Sequence, residues 1–230
     1  MANYVSRVEK IRKQNPFTNY VDIVYEILLE DIIRQALSPE QRLKESSLAN
    51  DFGMSRSPVH DALKQLEENG FITKLESSGG FRVTPFNIVD YSAFCEMRLA
   101  IEPDAAYYAA RYISPEGRRN LKEIMEKYHE AARQKDFIAM IDGDHRFHYE
   151  IVKQSRNKYF IDIYNTYERT CLYYRSMVSS IDISTENSHY NLTKHKKIYE
   201  RIIEHDEDGA KKMMYDHLKF YMNNALIRIR

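Results

Sequence analysis

Residues 47–72 read SLANDFGMSRSPVHDALKQLEENGFI, and this stretch decides the fold of the N-terminal part of the chain. A short segment ends in a glycine, where a tight turn is expected, and an amphipathic segment follows it. Val59, Leu63 and Leu66 recur at helical spacing and predict a buried stripe. The stretch therefore predicts two helices joined by a turn, with short polar residues at the start of the second helix.

The flanking sequence extends this unit in both directions. Apolar residues in 19–37 follow a helical period and predict one helix before the pair. The β-like segments 71–75 and 81–83 predict a hairpin after it. Residues 19–84 are therefore predicted to form a winged helix-turn-helix of three helices plus a β-hairpin, preceded by an N-terminal extension at 1–18.

After a linker at 85–88, the rest of the chain has a helical pattern throughout. Ser114 followed by Pro115 marks one helix start, with a capping hydroxyl and a proline at the first helical position. The predicted helices span 89–113, 115–134, 137–155, 158–180, 192–205 and 208–229. The fold class is thus mainly α, with an all-α helical bundle at 89–230 as the second domain.

Composition bounds the class of protein. The 230 residues include 34 basic and 34 acidic side chains. Residues 1–85 hold 11 basic and 12 acidic residues, so any surface for DNA must be a local one. No apolar run approaches the roughly 20 residues that cross a bilayer, and the N-terminus lacks the apolar core of a signal peptide. We therefore expect a cytoplasmic protein without membrane association, in which Cys95 and Cys171 are buried thiols rather than a disulfide or a metal pair.

The polar start of the second helix suits docking in the major groove of DNA. Backbone N–H groups in a first helical turn can bind a phosphate, and an arginine there can donate two hydrogen bonds to guanine. The hairpin, with Gly79 and Gly80 at its turn, would lie beside this helix as a wing. The alternative is that residues 55–60 only cap a helix in a protein-binding module, but a cap requires one polar residue rather than three.

The same stretch resembles the signature of the GntR family of bacterial winged-helix repressors. That signature reads Leu-Ala, a glycine, a hydrophobe, then Ser-Arg-(Ser/Thr)-Pro-Val-Arg-(Glu/Asp)-Ala-Leu, and the chain follows it with few substitutions. The resemblance implies that Ser55, Arg56 and the side chain at position 60 contact DNA, together with Ser46 on the preceding helix. The full predicted DNA-binding set is Ser46, Ser55, Arg56, Ser57, His60, Gly79 and Gly80.

One departure from the family pattern concerns the recognition helix itself. His60 stands where the family usually has arginine. A neutral histidine can still donate one hydrogen bond, and a protonated one can pair with phosphate. We expect a weaker or differently specified DNA contact at this position rather than its loss.

A second pattern lies in the C-terminal helices. Asp144 and His148 are four residues apart and share one helical face, while His195 and His217 lie on two later helices. Three helices of a bundle could turn these four side chains to one interior point. One carboxylate and three imidazoles suit a divalent ion such as Zn²⁺, Ni²⁺, Mn²⁺ or Fe²⁺. Spacing alone leaves open a chance pair on a charged helix.

Four segments, 98–111, 144–157, 195–202 and 209–218, are similar to the FCD ligand-binding domain, which marks the FadR-type subgroup of GntR regulators. In its metal-binding members the ligands are an aspartate, a histidine four residues later and two later histidines. The resemblance implies that the same four residues here hold a divalent cation, which helps to bind a small carboxylate effector. The alternative is a polar network in a domain that has lost its metal.

The resemblance also implies residues for the effector. Arg98 is the family's arginine on the first helix of this domain and a candidate partner for an effector carboxylate. An i, i+4 salt bridge with Glu102 is an equally weighted alternative for it. Asn157, Tyr174 and Arg175 are weaker candidates for lining the effector cavity.

These patterns predict a sequence-specific transcriptional repressor whose binding to its operator is controlled by the effector. A homodimer would place two recognition helices on a pseudo-palindromic double-stranded DNA operator. The alternative is a metal-dependent enzyme domain fused to a DNA-binding module. An enzyme would need an activated water, a positioned base and a substrate, and only the ligand set supports it.

Overall fold

A computed structural model gives the architecture of residues 4–34, 36–76, 79–181 and 185–228. The chain divides into two compact units, Met1–Phe86 and Asn87–Arg230, and each is described by itself. Two residues of the predicted hairpin turn, Ser77 and Ser78, lie outside the described residues. No helix in the described part of the chain combines the length and apolar character needed to span a membrane.

The N-terminal unit contains the predicted winged helix-turn-helix. Its elements are α1 (Tyr4–Gln14), α2 (Tyr20–Ile33), β1 (Arg42–Leu43), α3 (Glu45–Phe52), α4 (Arg56–Glu68), β2 (Ile72–Lys74) and β3 (Phe81–Val83). The three helices α2, α3 and α4 and the hairpin β2–β3 confirm the predicted fold class. The sheet has an additional strand, because β1 pairs antiparallel with β3 on the side away from β2.

Helix α2 differs from its prediction in length and in buried face. Asn19 caps it by accepting a hydrogen bond from the Asp22 backbone N–H. The helix ends at Ile33 rather than at Leu37, because the Leu37 N–H bonds back to the Asp31 carbonyl at 3.0 Å and closes the helix end. Helical spacing in the sequence predicts one buried side with Val21, Val24, Tyr25, Leu28, Ile32 and Leu37. The observed buried face is broader, and its core members are Ile23, Val24, Ile27, Leu28, Ile32 and Ile33.

Helix α1 is an element to which the sequence patterns assigned no structure. Tyr4 stacks on Phe52 of α3 with ring centroids 4.3 Å apart. Arg7 reaches α2, where its guanidinium lies 2.7 Å from Glu30 and 2.6 Å from Asp31. The predicted N-terminal extension therefore contributes packed structure to the first unit, through one aromatic stack and one forked ion pair.

The helix-turn-helix is built as the sequence predicts. Gly53 ends α3 in the left-handed conformation, with φ of +65°. Helix α4 buries Val59, Leu63 and Leu66 completely. Ser55 occupies the N-cap position of α4, but its side chain makes no capping hydrogen bond. The Ser55 hydroxyl therefore faces solvent without being committed to its own helix.

The second unit is an all-α bundle, as predicted. Its helices are α5 (Ile88–Tyr112), α6 (Pro115–Gln134), α7 (Phe137–Gln154), α8 (Lys158–Thr166), α9 (Glu168–Ile181), α10 (Thr185–Ile203) and α11 (Glu207–Arg228). The single helix predicted at 158–180 is wrong, because Tyr167 leaves helical geometry and separates α8 from α9. Ala106, Ala109 and Ala110 give α5 a smooth face, on which Met214 and Leu218 of α11 pack.

Two smaller predictions concern the same unit. Ser114 caps α6 by accepting a hydrogen bond from Gly117 N–H at 2.9 Å, with Pro115 at the first helical position. Cys95 and Cys171 are buried free thiols, which confirms the expectation for the cysteines. Gln154 of α7 holds the start of α6 in place, since its side-chain oxygen accepts from the Ser114 N–H at 3.3 Å.

Substituting Gly117→Ala should test this close approach of α6 and α7. A Cβ at position 117 would overlap the buried Gln154 amide, so we expect a loss of about 1–3 kcal/mol in the free energy of unfolding. In a Gln154→Ala background the overlap disappears, and the same substitution should be neutral or stabilising by about 0.5–1 kcal/mol. Urea unfolding of the four chains measures this cycle, and an equal loss in both backgrounds would show that the two side chains do not meet.

Candidate nucleic-acid interface and candidate metal centre

The start of α4 and the turn of the wing border one concave surface in the N-terminal unit, with a volume of about 540 Å³. Five of the predicted DNA-binding residues line it, namely Ser46, Arg56, His60, Gly79 and Gly80. Ser55 and Ser57 are exposed at the start of α4, outside the lining. The structure therefore brings residues from α3, α4 and the wing to one surface.

This surface is basic although the chain as a whole is neutral. Its lining contains five basic residues and two acidic ones. The basic residues are Arg42, Lys44, Arg56, Lys64 and Lys74, and the acidic ones are Glu45 and Glu67. Four of these cations were missed in the sequence. Lys64 could have been found there, because Arg56, His60 and Lys64 follow one another at intervals of four and share a face of α4.

His60 has a protein partner on this surface. Its Nδ1 lies 3.0 Å from Oε2 of Glu45, and both side chains are partly exposed. Glu45 is the first residue of α3, so the contact joins the two helices of the helix-turn-helix motif at the concave surface. A carboxylate therefore contacts one of the two ring nitrogens of His60.

The wing turn lies close against β1 and is joined to it by a hydrogen bond. Arg42 donates a hydrogen bond from Nη2 to the Gly79 carbonyl at 3.1 Å. A Cβ on Gly80 would lie 2.7 Å from the Leu43 carbonyl oxygen, and Gly80 has φ of +87°. Only glycine meets both conditions, so this residue lets the wing turn approach β1 closely.

The four predicted metal ligands converge in the interior of the second unit. Helix α7 supplies Asp144 and His148, α10 supplies His195 and α11 supplies His217. Their ligand atoms all lie within 4.8 Å of one another. The His217 Nε2 is 3.2 Å from Nε2 of both His148 and His195, and the His195 Nε2 is 3.3 Å from Asp144 Oδ1. The three imidazoles are buried, and Asp144 is partly exposed.

An ion pair behind His148 fixes the orientation of its ring. The Nδ1 of His148 lies 2.5 Å from Glu102 Oε2, and Arg98 donates two hydrogen bonds to the same carboxylate at 2.5 and 3.2 Å. Although burial opposes the charged form of Glu102, Arg98 and His148 hold its pKa well below its ordinary value. A charged Glu102 accepts a hydrogen bond from the Nδ1–H of His148. The proton therefore stays on Nδ1, and the Nε2 lone pair of His148 faces the other ligands.

Asp144 is held from the other side by Arg175 of α9. The Nη1 of Arg175 pairs with Asp144 Oδ2, which leaves Oδ1 toward the histidines. Burial, with Arg98 nearby, lowers the pKa of Arg175 to about 9, so its guanidinium still carries its charge at neutral pH. Each of the two ligands on α7 is therefore positioned by a buried charged group.

The chemistry of this donor set fits a divalent cation. Burial lowers the pKa of His148, His195 and His217, and the neutral imidazole is the form that binds metal. Three Nε2 atoms and one carboxylate oxygen face one another at these distances, where a cation between them would be held by converging lone pairs.

The predicted effector residues have different surroundings. Arg98 makes the salt bridge with Glu102 that was its alternative. Asn157 caps α8 by accepting from the backbone N–H of Tyr159 at 3.0 Å, so its side chain oxygen serves the helix. Tyr174 is buried among aromatic rings, with its centroid 5.1 Å from Phe94. Of the four residues, the two arginines lie beside candidate metal ligands, Arg98 with Nη2 3.3 Å from His148 Nδ1 and Arg175 paired with Asp144.

Comparisons with known proteins agree with this architecture. Residues 21–83 match the model of the bacterial regulatory proteins of the gntR family, and residues 93–220 match the FCD domain. The uncharacterized HTH-type transcriptional regulator YdhC of Bacillus subtilis is 24% identical over 212 residues, covering 90% of each chain. The HTH-type transcriptional repressor RspR of Escherichia coli is 25% identical over 89% of this chain and 88% of its own.

A solved structure has the same fold. E. coli McbR/YncC superposes with a TM-score of 0.65 at 18% sequence identity, over 93% of this chain and 98% of that one. The curated relatives are transcriptional regulators rather than enzymes, which argues against the alternative of a fused metal-dependent enzyme. With both domain models matched in order along one chain, the protein belongs to the GntR family of DNA-binding transcriptional regulators and carries an FCD domain as its second unit.

Proposed function

We propose that this regulator is a repressor controlled by a small carboxylate effector, which binds at a divalent metal ion in the FCD domain. Asp144, His148, His195 and His217 would hold the ion. The observation that carries this proposal is the convergence of their four ligand atoms within 4.8 Å in the domain that serves effector binding in this family. The donor set suits Zn²⁺, Ni²⁺, Mn²⁺ or Fe²⁺.

Three charged residues would position the ligands at this centre. Glu102 would fix the tautomer of His148, with Arg98 holding Glu102 in its charged form. Arg175 would hold Asp144 through one carboxylate oxygen and leave the other for the ion. The bound cation would supply open coordination positions for oxygen atoms of the effector carboxylate.

DNA binding would use the basic concave surface of the first unit. Arg56 at the start of α4, flanked by the uncommitted Ser55 hydroxyl, is the best candidate to read a base edge in the major groove. Lys64 and the cations on the strands would bind phosphates and set register. Gly79 and Gly80 would bring the wing backbone close to the duplex.

A homodimer on a pseudo-palindromic operator in the bacterial cytoplasm completes the proposal. Two recognition helices must match the separation of the half-sites, so a small rigid-body shift on effector binding would abolish the fit. The name of the relative RspR, a transcriptional repressor, supports repression as the sign of regulation.

Metal content tests the centre directly. We expect protein purified without chelator to contain about one divalent ion per chain, since a complete donor set of this kind binds tightly. Added Zn²⁺ should raise the melting temperature of chelator-treated wild type, because a ligand specific to the folded state stabilises it. His195→Ala should lose the ion and the thermal shift, while His129→Ala, a histidine outside the cluster, should keep both. Elemental analysis and thermal unfolding measure these outcomes, and an equal shift in the two variants would contradict the ligand assignment.

Two substitutions in α4 separate base reading from phosphate binding. Arg56→Ala should weaken operator binding by about 1–3 kcal/mol while affecting a random duplex less, because it removes a contact to a base edge. Lys64→Ala should weaken both duplexes alike and reduce the salt slope by about one. Mobility shifts against the protein's own promoter region measure both effects, with Lys10→Ala on α1 as the control. Loss of discrimination in Lys64→Ala alone would reverse the two assignments.

Position 60 tests the departure from the family pattern. His60→Arg should tighten DNA binding and steepen its salt dependence, since it adds a permanent charge at the recognition helix. The gain should be larger when combined with Glu45→Gln, because Glu45 lies 3.0 Å from His60 and competes with phosphate for a cation there. Fluorescence anisotropy at several salt concentrations measures affinity and slope together. An unchanged slope in both variants would mean that this side chain does not face DNA.

A further inference from the structure

Two arginines are buried next to the candidate metal centre, and their hydrogen bonding differs. Arg98 donates from Nε and Nη2 to the two oxygens of Glu102, at 2.5 and 3.2 Å. This pairing uses the side of the guanidinium that matches a carboxylate in a bidentate way. Arg98 is therefore occupied by a carboxylate of its own chain.

Arg175 presents the same side of its guanidinium without an acceptor. Its Nη1 pairs with Asp144, but Nε and Nη2 are buried and have no hydrogen-bond partner among the described residues. Buried donors of a charged group that stay unpaired are strongly unfavourable, so an arrangement of this kind calls for an anion. Nε and Nη2 together match the two oxygens of one carboxylate.

We propose that Arg175, and not Arg98, is the residue that anchors the effector carboxylate, through its Nε and Nη2. This inference rests on the proposed function, in which a carboxylate acts at the metal centre. Arg175 lies in the right place, since it grips Oδ2 of Asp144 while Oδ1 of the same carboxylate is 3.3 Å from the His195 Nε2. An acid bound to Arg175 would therefore lie next to Asp144, on the side where the candidate ligands converge.

The surroundings of Arg175 limit the kind of acid that can bind. The buried phenols of Tyr91 and Tyr128 are close enough to interact electrostatically with its guanidinium. The two open N–H groups are enclosed, so the acid must be small and the neighbouring side chains must move outward to admit it. A second carboxylate on the same ligand would find Arg98 already paired with Glu102, so the anchor selects for one carboxylate rather than for two.

The roles of the two arginines can be separated with acetate, the smallest acid that carries the recognised group. The full-length chain is loaded with Co²⁺, whose visible absorption reports changes near the ion, and is titrated with acetate at constant ionic strength. Acetamide, which has the same shape without the charge, serves as the control ligand. Metal content is measured in parallel by elemental analysis.

Wild type should bind one Co²⁺ per chain and respond to acetate but not to acetamide. Arg175→Lys keeps a charge but loses the fork, and it should retain Co²⁺ while binding acetate about tenfold more weakly or worse. Arg175→Gln is the second variant, in case a lysine does not fit. Arg98→Lys should instead lower the affinity for Co²⁺ by about 10–100-fold, since it releases the group that orients His148. Arg201→Lys on the surface should behave as wild type in every measurement.

The outcomes distinguish this inference from the function on which it rests. Wild type that takes up no Co²⁺, or that binds Co²⁺ without responding to acetate, would overturn the proposed effector site and this inference with it. An acetate response that is equal in wild type and in a folded Arg175 variant would overturn the anchor role alone. Loss of the acetate response in Arg98→Lys with Co²⁺ still bound would assign the anchor to Arg98.

Discussion

The second unit buries two guanidinium groups, a carboxylate and three imidazoles inside a helical bundle. Removing these groups from water has a large desolvation cost, so each charged group needs a partner in the interior. The cost is offset by pairing, because Arg98 faces Glu102, Glu102 faces His148, and Arg175 faces Asp144. Two of these pairs also cross between helices, since Glu102–His148 joins α5 to α7 and Arg175–Asp144 joins α9 to α7. The packing of the bundle and the geometry of its candidate metal centre therefore depend on the same charged contacts.

The two units follow opposite electrostatic strategies. Around the candidate metal centre of the second unit, charge is buried, and Arg98 and Arg175 each face a carboxylate. In the first unit the cations at the concave surface are exposed and outnumber the acids, although residues 1–85 as a whole have a slight excess of acidic residues. A neutral protein can bind DNA in this way, because the field at the duplex depends on the charges within about one Debye length rather than on the total.

Local sequence signals predicted much of this architecture. Ser114-Pro115 fixed the start of α6, and the predicted end at Gln134 is also the observed one. Signals that depend on packing were not readable: the break at Tyr167 has no proline or glycine to mark it, and α1 is held by contacts with α2 and α3 rather than by a strong pattern of its own.

The candidate sites were predictable to different degrees for similar reasons. Spacing and family resemblance selected Asp144, His148, His195 and His217, which the structure brings together. Spacing could not decide whether Arg98 pairs with Glu102 or with the carboxylate of an effector. Both carboxylates would accept the same pair of hydrogen bonds from the guanidinium. The clustering of Arg42 and Lys74 with α4 depends on sheet pairing between distant strands, which one sequence does not reveal.

The contact between Glu45 and His60 has a consequence for how the protein searches DNA. The Glu45 carboxylate engages Nδ1 of His60, so a phosphate that approaches this side chain would meet its Nε2 side and the negative charge of Glu45 behind it. This negative charge would lower the affinity for DNA of arbitrary sequence, because such binding depends on contacts to the phosphate backbone. In the proposed interface, this repulsion would not weaken a base contact made by Arg56. In the proposed interface, α4 would thus lose some non-specific affinity and gain discrimination, and the protein should spend less of its time on DNA that is not its operator.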